Sequence, residues 1–208
     1  TIADGWSKRL RSFDAKAVPL DVRYRFRAKE YGQQLVRMYL MRNDEASKLG
    51  TTPLPNGQVS VFHSTADGGL RYLTSQPIQY VPVGDRLELN LGRDPDVGFE
   101  LKTLSAWRDE VWLKMRKPNV YKRVGQGNVI VDHRATVAGW NNHRLYAQVI
   151  RNFTGRSISV EVRREIGGDV TMRSGLAPKL NDFRTFEVTT NVAVGEERRL
   201  LYELVVRR

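Results

Sequence analysis

Apolar and polar side chains alternate with a period of two along most of this chain, the pattern of strands that bury one face. In Val22-Arg23-Tyr24-Arg25-Phe26-Arg27 the alternation is strict, so one face of a half-buried strand carries Val22, Tyr24 and Phe26 and the other a ladder of three arginines. Residues 35–41 read as a second strand. Residues 42–57 are rich in Asn, Asp, Gly and Pro, which predicts a long ordered loop. Alternation returns through Val59, Val61 and His63; Ala66-Asp67-Gly68-Gly69 supplies a turn, and Leu70-Arg71-Tyr72-Leu73 completes a hairpin. Residues 77–85 read as an irregular β segment, and Leu87, Leu89 and Leu91 mark a further strand closed by Gly92. Between Phe99 and Met115 the spacing of Leu101, Leu104, Trp107 and Trp112 suits a short helix nearly as well as a strand, and we favour strand. From Asn128 onward β-prone runs recur over residues 129–131, 145–153, 157–166, 169–173, 185–192 and 198–206. The gaps hold Asn141-Asn142, Thr154-Gly155, Gly167-Gly168, Asn181-Asp182 and Gly195, which is turn chemistry.

These elements predict an all-β protein of antiparallel β-sandwich units, the C-terminal one Ig-like. We expect an N-terminal β domain with an arm over residues 1–102, then a basic insertion plus an Ig-like β-sandwich over residues 103–208. The first fifteen residues, with Trp6 and Phe13 among Lys8, Arg9 and Arg11, show no clean period and read as a docked arm or a frayed end. There is no solenoid-type repeat and no low-complexity tract.

Composition narrows the functional classes. With no Cys there is no disulfide framework, no thiolate zinc site and no thiol nucleophile. No apolar run approaches the roughly 20 residues that span a bilayer. The opening Thr1-Ile2-Ala3-Asp4-Gly5-Trp6 has neither a charged leader nor an apolar signal core, which fits a processed exported chain and a fragment equally. The net charge of +11 is uneven, +2 over residues 1–100 and +9 over residues 101–208. Of the 34 basic residues 25 are Arg, which suits bidentate capture of phosphate, sulfate or carboxylate, although a GC-rich genome would raise Arg everywhere.

Residues 114–123 hold Lys114, Arg116, Lys117, Lys122 and Arg123 and no acid, the best basic patch in the chain. Together with Arg23, Arg25 and Arg27 they are the candidate anion-binding residues. The arginine ladder also suits a solvated sheet face or an edge guarded by charge. Trp107, Trp112, Tyr121 and Trp140 would supply stacking to a nucleic acid, but a sandwich core accounts for them more simply.

The order and spacing of Asn43-Asp44-Glu45, Leu49-Gly50, Pro53-Leu54-Pro55-Asn56-Gly57, Val59-Ser60-Val61-Phe62, Asp67-Gly68-Gly69, Leu91-Gly92 and Asp96-Val97 carry a resemblance. Over roughly residues 20–208 the chain resembles a bacterial domain of unknown function found at the C-terminal end of mucoidy-inhibitor-like proteins. Residues 145–152, Phe153-Thr154-Gly155-Arg156 and residues 157–162 resemble the antiparallel sandwich that follows in that family. The resemblance implies a fold and no catalytic residues. The segment 102–140 matches least well.

Catalytic and metal signatures are weak. His63, His133 and His143 share no ligand spacing, though His133, His143 and Asp132 would meet across adjacent strands. Asp94-Pro95-Asp96-Val97-Gly98-Phe99-Glu100 alternates acidic oxygens as a calcium loop would, but without EF-hand spacing. There is no Gly-x-Ser-x-Gly, no His-Glu-x-x-His and no P-loop, and Gly125-Gln126-Gly127 lacks the third glycine of a dinucleotide fingerprint. The expectation is a non-catalytic module of an exported, periplasmic or cell-surface bacterial protein, without cofactor or metal. It would work by association with a protein, itself included, through sheet edges or the basic C-terminal half. The alternatives are binding of an anionic polymer, acidic polysaccharide or nucleic acid, through that half, and a cryptic hydrolase.

Overall fold

The computed structural model describes residues 4, 14–114, 136–182 and 184–208, and the backbone of 121–124. Among these residues the fold is all β, with thirteen strands and a single one-turn helix. In order they are β1 (Asp21–Arg27), α1 (Ala28–Tyr31), β2 (Leu35–Arg42), β3 (Gly57–Ser64), β4 (Leu70–Ile78), β5 (Arg86–Arg93) and β6 (Val97–Lys114). They continue as β7 (Tyr121–Val124), β8 (Thr136–Asn152), β9 (Ile158–Glu165), β10 (Asp169–Arg173), β11 (Lys179–Asp182), β12 (Thr185–Val192) and β13 (Glu197–Arg207). The ambiguous stretch around Trp107 is strand, an 18-residue β6 paired with β8. No helix among the described residues is long and apolar enough to cross a membrane.

The chain forms two compact units that interleave in sequence, residues 1–22 with 38–91 and residues 23–37 with 92–208. In the larger unit two sheets face each other, one running β11-β12-β9-β1 and the other β10-β13-β8-β6-β7. Alternating residues of each strand fill the space between them, among them Tyr24, Phe26, Ile150, Val160, Val162 and Leu200. Phe26 of β1 meets Phe99 of β6 with ring centroids 4.7 Å apart. Each such fully buried side chain stabilises the fold by about 1.5–3 kcal/mol. Most pairs are antiparallel, but β1 pairs with β9 in parallel. The smaller unit has its own core of Leu54, Val81, Leu87 and Leu89, against which Val59, Val61 and Ile78 of the β3–β4 ribbon pack.

Each unit contains one corner of the same design. Asn43, just past β2, is fully buried and its amide donates to the carbonyls of Thr52, Val81 and Pro82 at 3.1–3.2 Å. Asn152, ending β8, is also fully buried and donates to the carbonyls of Arg156, Val192 and Ala193 at 2.8–3.0 Å. The backbone repeats as well. Asn43 N–H donates to Asp85 O and Asn43 O accepts from Gly84; Asn152 N–H donates to Glu196 O and Asn152 O accepts from Gly195. Both glycines have positive φ, +87° and +70°, a conformation a side chain would strain. The loops so locked read Val81-Pro82-Val83-Gly84-Asp85 and Val192-Ala193-Val194-Gly195-Glu196. Loop carbonyls buried this way need donors, and the two N–H groups of one buried amide, one of them shared, reach three of them.

Candidate functional site

The arginine ladder of β1 lies on the face opposite Tyr24 and Phe26, but it is not free in solvent. Arg25 is 4% exposed, as is Glu161, its register partner on β9. Arg25 Nε donates to Glu161 Oε2 at 3.2 Å, and Arg27 donates to Glu161 Oε1 at 3.0 Å and to Glu30 at 3.1 Å. One strand further, Arg163 donates to Glu187 at 2.7 Å. The expectation of a solvated arginine face fails because Arg25 and Glu161 are buried together, and a buried charge is tolerated only when paired. Glu161 accepts from Arg25 and Arg27, so their positive charge is met within the fold. Arg23, on the same strand, is half-buried.

The basic patch lies on a different sheet. Lys114 is exposed at the end of β6, and the register sets Lys122 opposite Leu113 and Arg123 opposite Trp112 on β7, the outermost strand in that order. Arg116 and Lys117 lie outside the described residues. The fold therefore gathers Lys114, Lys122 and Arg123 on a sheet edge and leaves Arg23, Arg25 and Arg27 elsewhere, so the eight candidates do not form one site. Nor are the tryptophans of β6 core: Trp107 and Trp112 are 39% and 42% exposed. Register shifts between Thr103 and Ser105 and between Asp109 and Trp112 break the simple alternation along β6, and such irregularities re-aim side chains. Half-buried Trp140 lies under the Arg108 guanidinium, 5.0 Å from its ring centre.

His143 finds partners on both flanking strands. Its Nε2 lies 2.8 Å from Asp109 Oδ1 on β6, its Nδ1 contacts Glu203 on β13, and its ring stacks on Trp107 at 4.9 Å. Burial of the ring opposes its charge, but the hydrogen bonds to Glu203 and Asp109 and the charges of both acids outweigh this and hold its pKa above the ordinary histidine value. The expected partners Asp132 and His133 lie outside the described residues. Among the described residues no group of three or more His, Cys, Asp or Glu is placed to hold a metal ion. In the acidic loop after β5, buried Asp94 accepts from the Tyr24 hydroxyl at 2.6 Å and from Arg37 at 3.0 Å. Burial and the hydrogen bond to Asp94 push the Tyr24 pKa up to about 12. That carboxylate is thus a structural group of the larger unit.

The smaller unit carries the feature that sequence alternation missed. Val61 of β3 pairs with Thr74, but Phe62 pairs with Tyr72, so Leu73 is one residue extra on β4. The bulge turns Tyr72 to the side of Phe62, and the two rings meet edge to face at 5.6 Å. Phe62 and Tyr72 are 51% and 55% exposed and Leu70, two residues along, 72%. One end of the ribbon thus packs on the core through Val59 and Val61, and the other presents an apolar aromatic face to solvent. No local signal marks Leu73 as extra, because the pairing partner is what reveals it.

No family model matches the chain, and neither a curated protein nor a solved structure matches it.

Proposed function

We propose that the chain is a non-catalytic β-sandwich module, its larger unit Ig-like, that works by protein–protein association through the apolar end of the β3–β4 ribbon. The observation that supports this reading is the contiguous exposed set Phe62, Tyr72 and Leu70, aligned by a bulge on one face of a two-stranded ribbon. Aromatic residues are enriched at interfaces, and grouped apolar exposure marks contact surfaces where scattered exposure does not. A second copy of the chain is the first partner to test, because an apolar ribbon face is self-complementary about a two-fold axis. Placement in an exported or cell-envelope bacterial protein follows the resemblance to the mucoidy-inhibitor-like C-terminal domain and is part of the same proposal.

Light scattering of the purified chain at low and high salt tests it. An oligomer that persists at high salt and reverts to monomer in the Phe62→Ser, Tyr72→Ser double variant supports the reading. A monomer at both salts overturns self-association. A mass that falls as salt rises would instead favour charge-driven contacts around Lys114, Lys122 and Arg123.

A further inference from the structure

At one end of the larger unit's sandwich the alternation that buries apolar side chains gives way to arginine. On β9 Ile158, Val160 and Val162 are buried on the inner face, and the next position of that face is Arg164. On β8 Ile150, Gln148 and Tyr146 are buried, and Arg144 continues the row. On β13 Leu200, Tyr202 and Leu204 are followed by Val206 and, just past the strand, Arg208. Arg144, Arg164 and Arg208 line one cavity of about 300 Å³, with Tyr146, Leu204 and Val206 as its apolar part.

Many other arginines of the unit are held in ion pairs. Arg25, Arg27, Arg151 and Arg163 each meet a carboxylate. Among the described residues no carboxylate pairs with Arg144, Arg164 or Arg208. The one acid at the cavity, Glu165, is engaged by Lys29. The Arg164 guanidinium lies over the Tyr146 ring, 5.1 Å from its centre, and its buried Nε has no hydrogen-bond partner. Directly across the sheet from Tyr146, the buried Tyr202 hydroxyl has only the Arg164 guanidinium beside it, and one position deeper both polar atoms of the Gln148 amide are buried without a partner. Half-buried Arg164 on the inner face breaks the pattern that builds a core, with exposed Arg144 and Arg208 at its rim, and a buried unpaired polar atom costs about 1–3 kcal/mol. Breaches of this kind concentrate where a protein binds something.

We infer that this cavity binds a small organic oxyanion. Arg144, Arg164 and Arg208 take its phosphate, sulfate or carboxylate head, and Tyr146, Leu204 and Val206 take an apolar body. The volume stands at the small end of the roughly 300–1,000 Å³ typical of ligand sites, which limits that body to about one ring. Guanidinium groups suit such heads because they donate in a planar fork.

The test is titration of the full chain with phenyl phosphate, benzoate, inorganic phosphate and phenol, followed by amide and side-chain NMR shifts. The expected result is saturable binding of phenyl phosphate or benzoate with shifts centred on Tyr146, Gly167 and Leu204, tighter than inorganic phosphate and much tighter than phenol. Arg144→Met, at an exposed position, should weaken it at least about tenfold, the scale of one charge-assisted contact. Arg199→Met, a surface arginine paired with Glu197, should leave it unchanged. Equal loss in both variants, or no saturation by any of the anions in the millimolar range, would overturn the site. Saturable shifts centred elsewhere would also overturn it.

Discussion

The two Asn-locked corners are built alike from residues more than a hundred positions apart, yet they are not equally complete. Each buried amide gives its hydrogens to three carbonyls of a Val-x-Val-Gly-acid loop and its neighbours. The difference lies at the amide oxygen. Asn152 Oδ1 accepts from Thr154 N–H at 3.0 Å and from the Thr154 hydroxyl at 2.6 Å, whereas the buried Oδ1 of Asn43 has no partner. Donation is therefore what the loop requires, since both corners keep it, and acceptance is an addition in one of them. The surfaces of the two units diverge further: the larger places arginines in ion pairs and around a cavity, the smaller presents Phe62, Tyr72 and Leu70 to solvent.

Asn152→Ala should be the most damaging single change, at about 4 kcal/mol, because it removes donation to three carbonyls together with the acceptor of the Thr154 N–H and hydroxyl. Asn43→Ala removes the same three donations along with an acceptor that had no partner, and should cost about 2–3 kcal/mol. Urea denaturation of the two variants measures both, and equal losses would break the argument that the amide oxygen separates the corners. A smaller effect should follow pH. The folded pKa of His143 is raised above its unfolded value near 6.5, so its ion pairs contribute fully below that pH. This contribution is lost as pH rises through the folded pKa, and unfolding free energy should decline on the alkaline side of 6.5. His143→Gln should flatten that slope while leaving the Asn43 and Asn152 effects unchanged, which a pH series of melts would show. Least of all, the Phe62→Ser, Tyr72→Ser variant should shift stability by no more than about 0.5 kcal/mol per site, because both side chains are largely exposed.

Much of this architecture was legible in the sequence, because alternation is a local signal. It located most strands of both units, the loop over residues 42–57 and the hairpin turn at Gly68-Gly69, but it read Asn141-Asn142 and Asn181-Asp182 as turns where β8 and β11 run, because their polar side chains mimic turn chemistry. It also favoured strand around Trp107, rightly, since β6 pairs along β8. What it could not carry was partnership. The β1 arginines read as solvated because Glu161 stands 136 residues from Arg25, and His143 meets acids 34 and 60 residues away. The outward turn of Tyr72 depends on a bulge visible only in the pairing, and Trp107 and Trp112 read as core although register shifts in β6 leave them half exposed. The repeated Val-x-Val-Gly-acid loops were on the page as well, but a motif that recurs once at a corner does not register as a repeat.

Association through the ribbon is decided by the solution mass of the native chain beside the Phe62→Ser, Tyr72→Ser variant, measured by light scattering at high salt. An oligomer is expected for the native chain and a folded monomer for the variant. A monomeric native chain, or a variant that keeps the native mass, would contradict it.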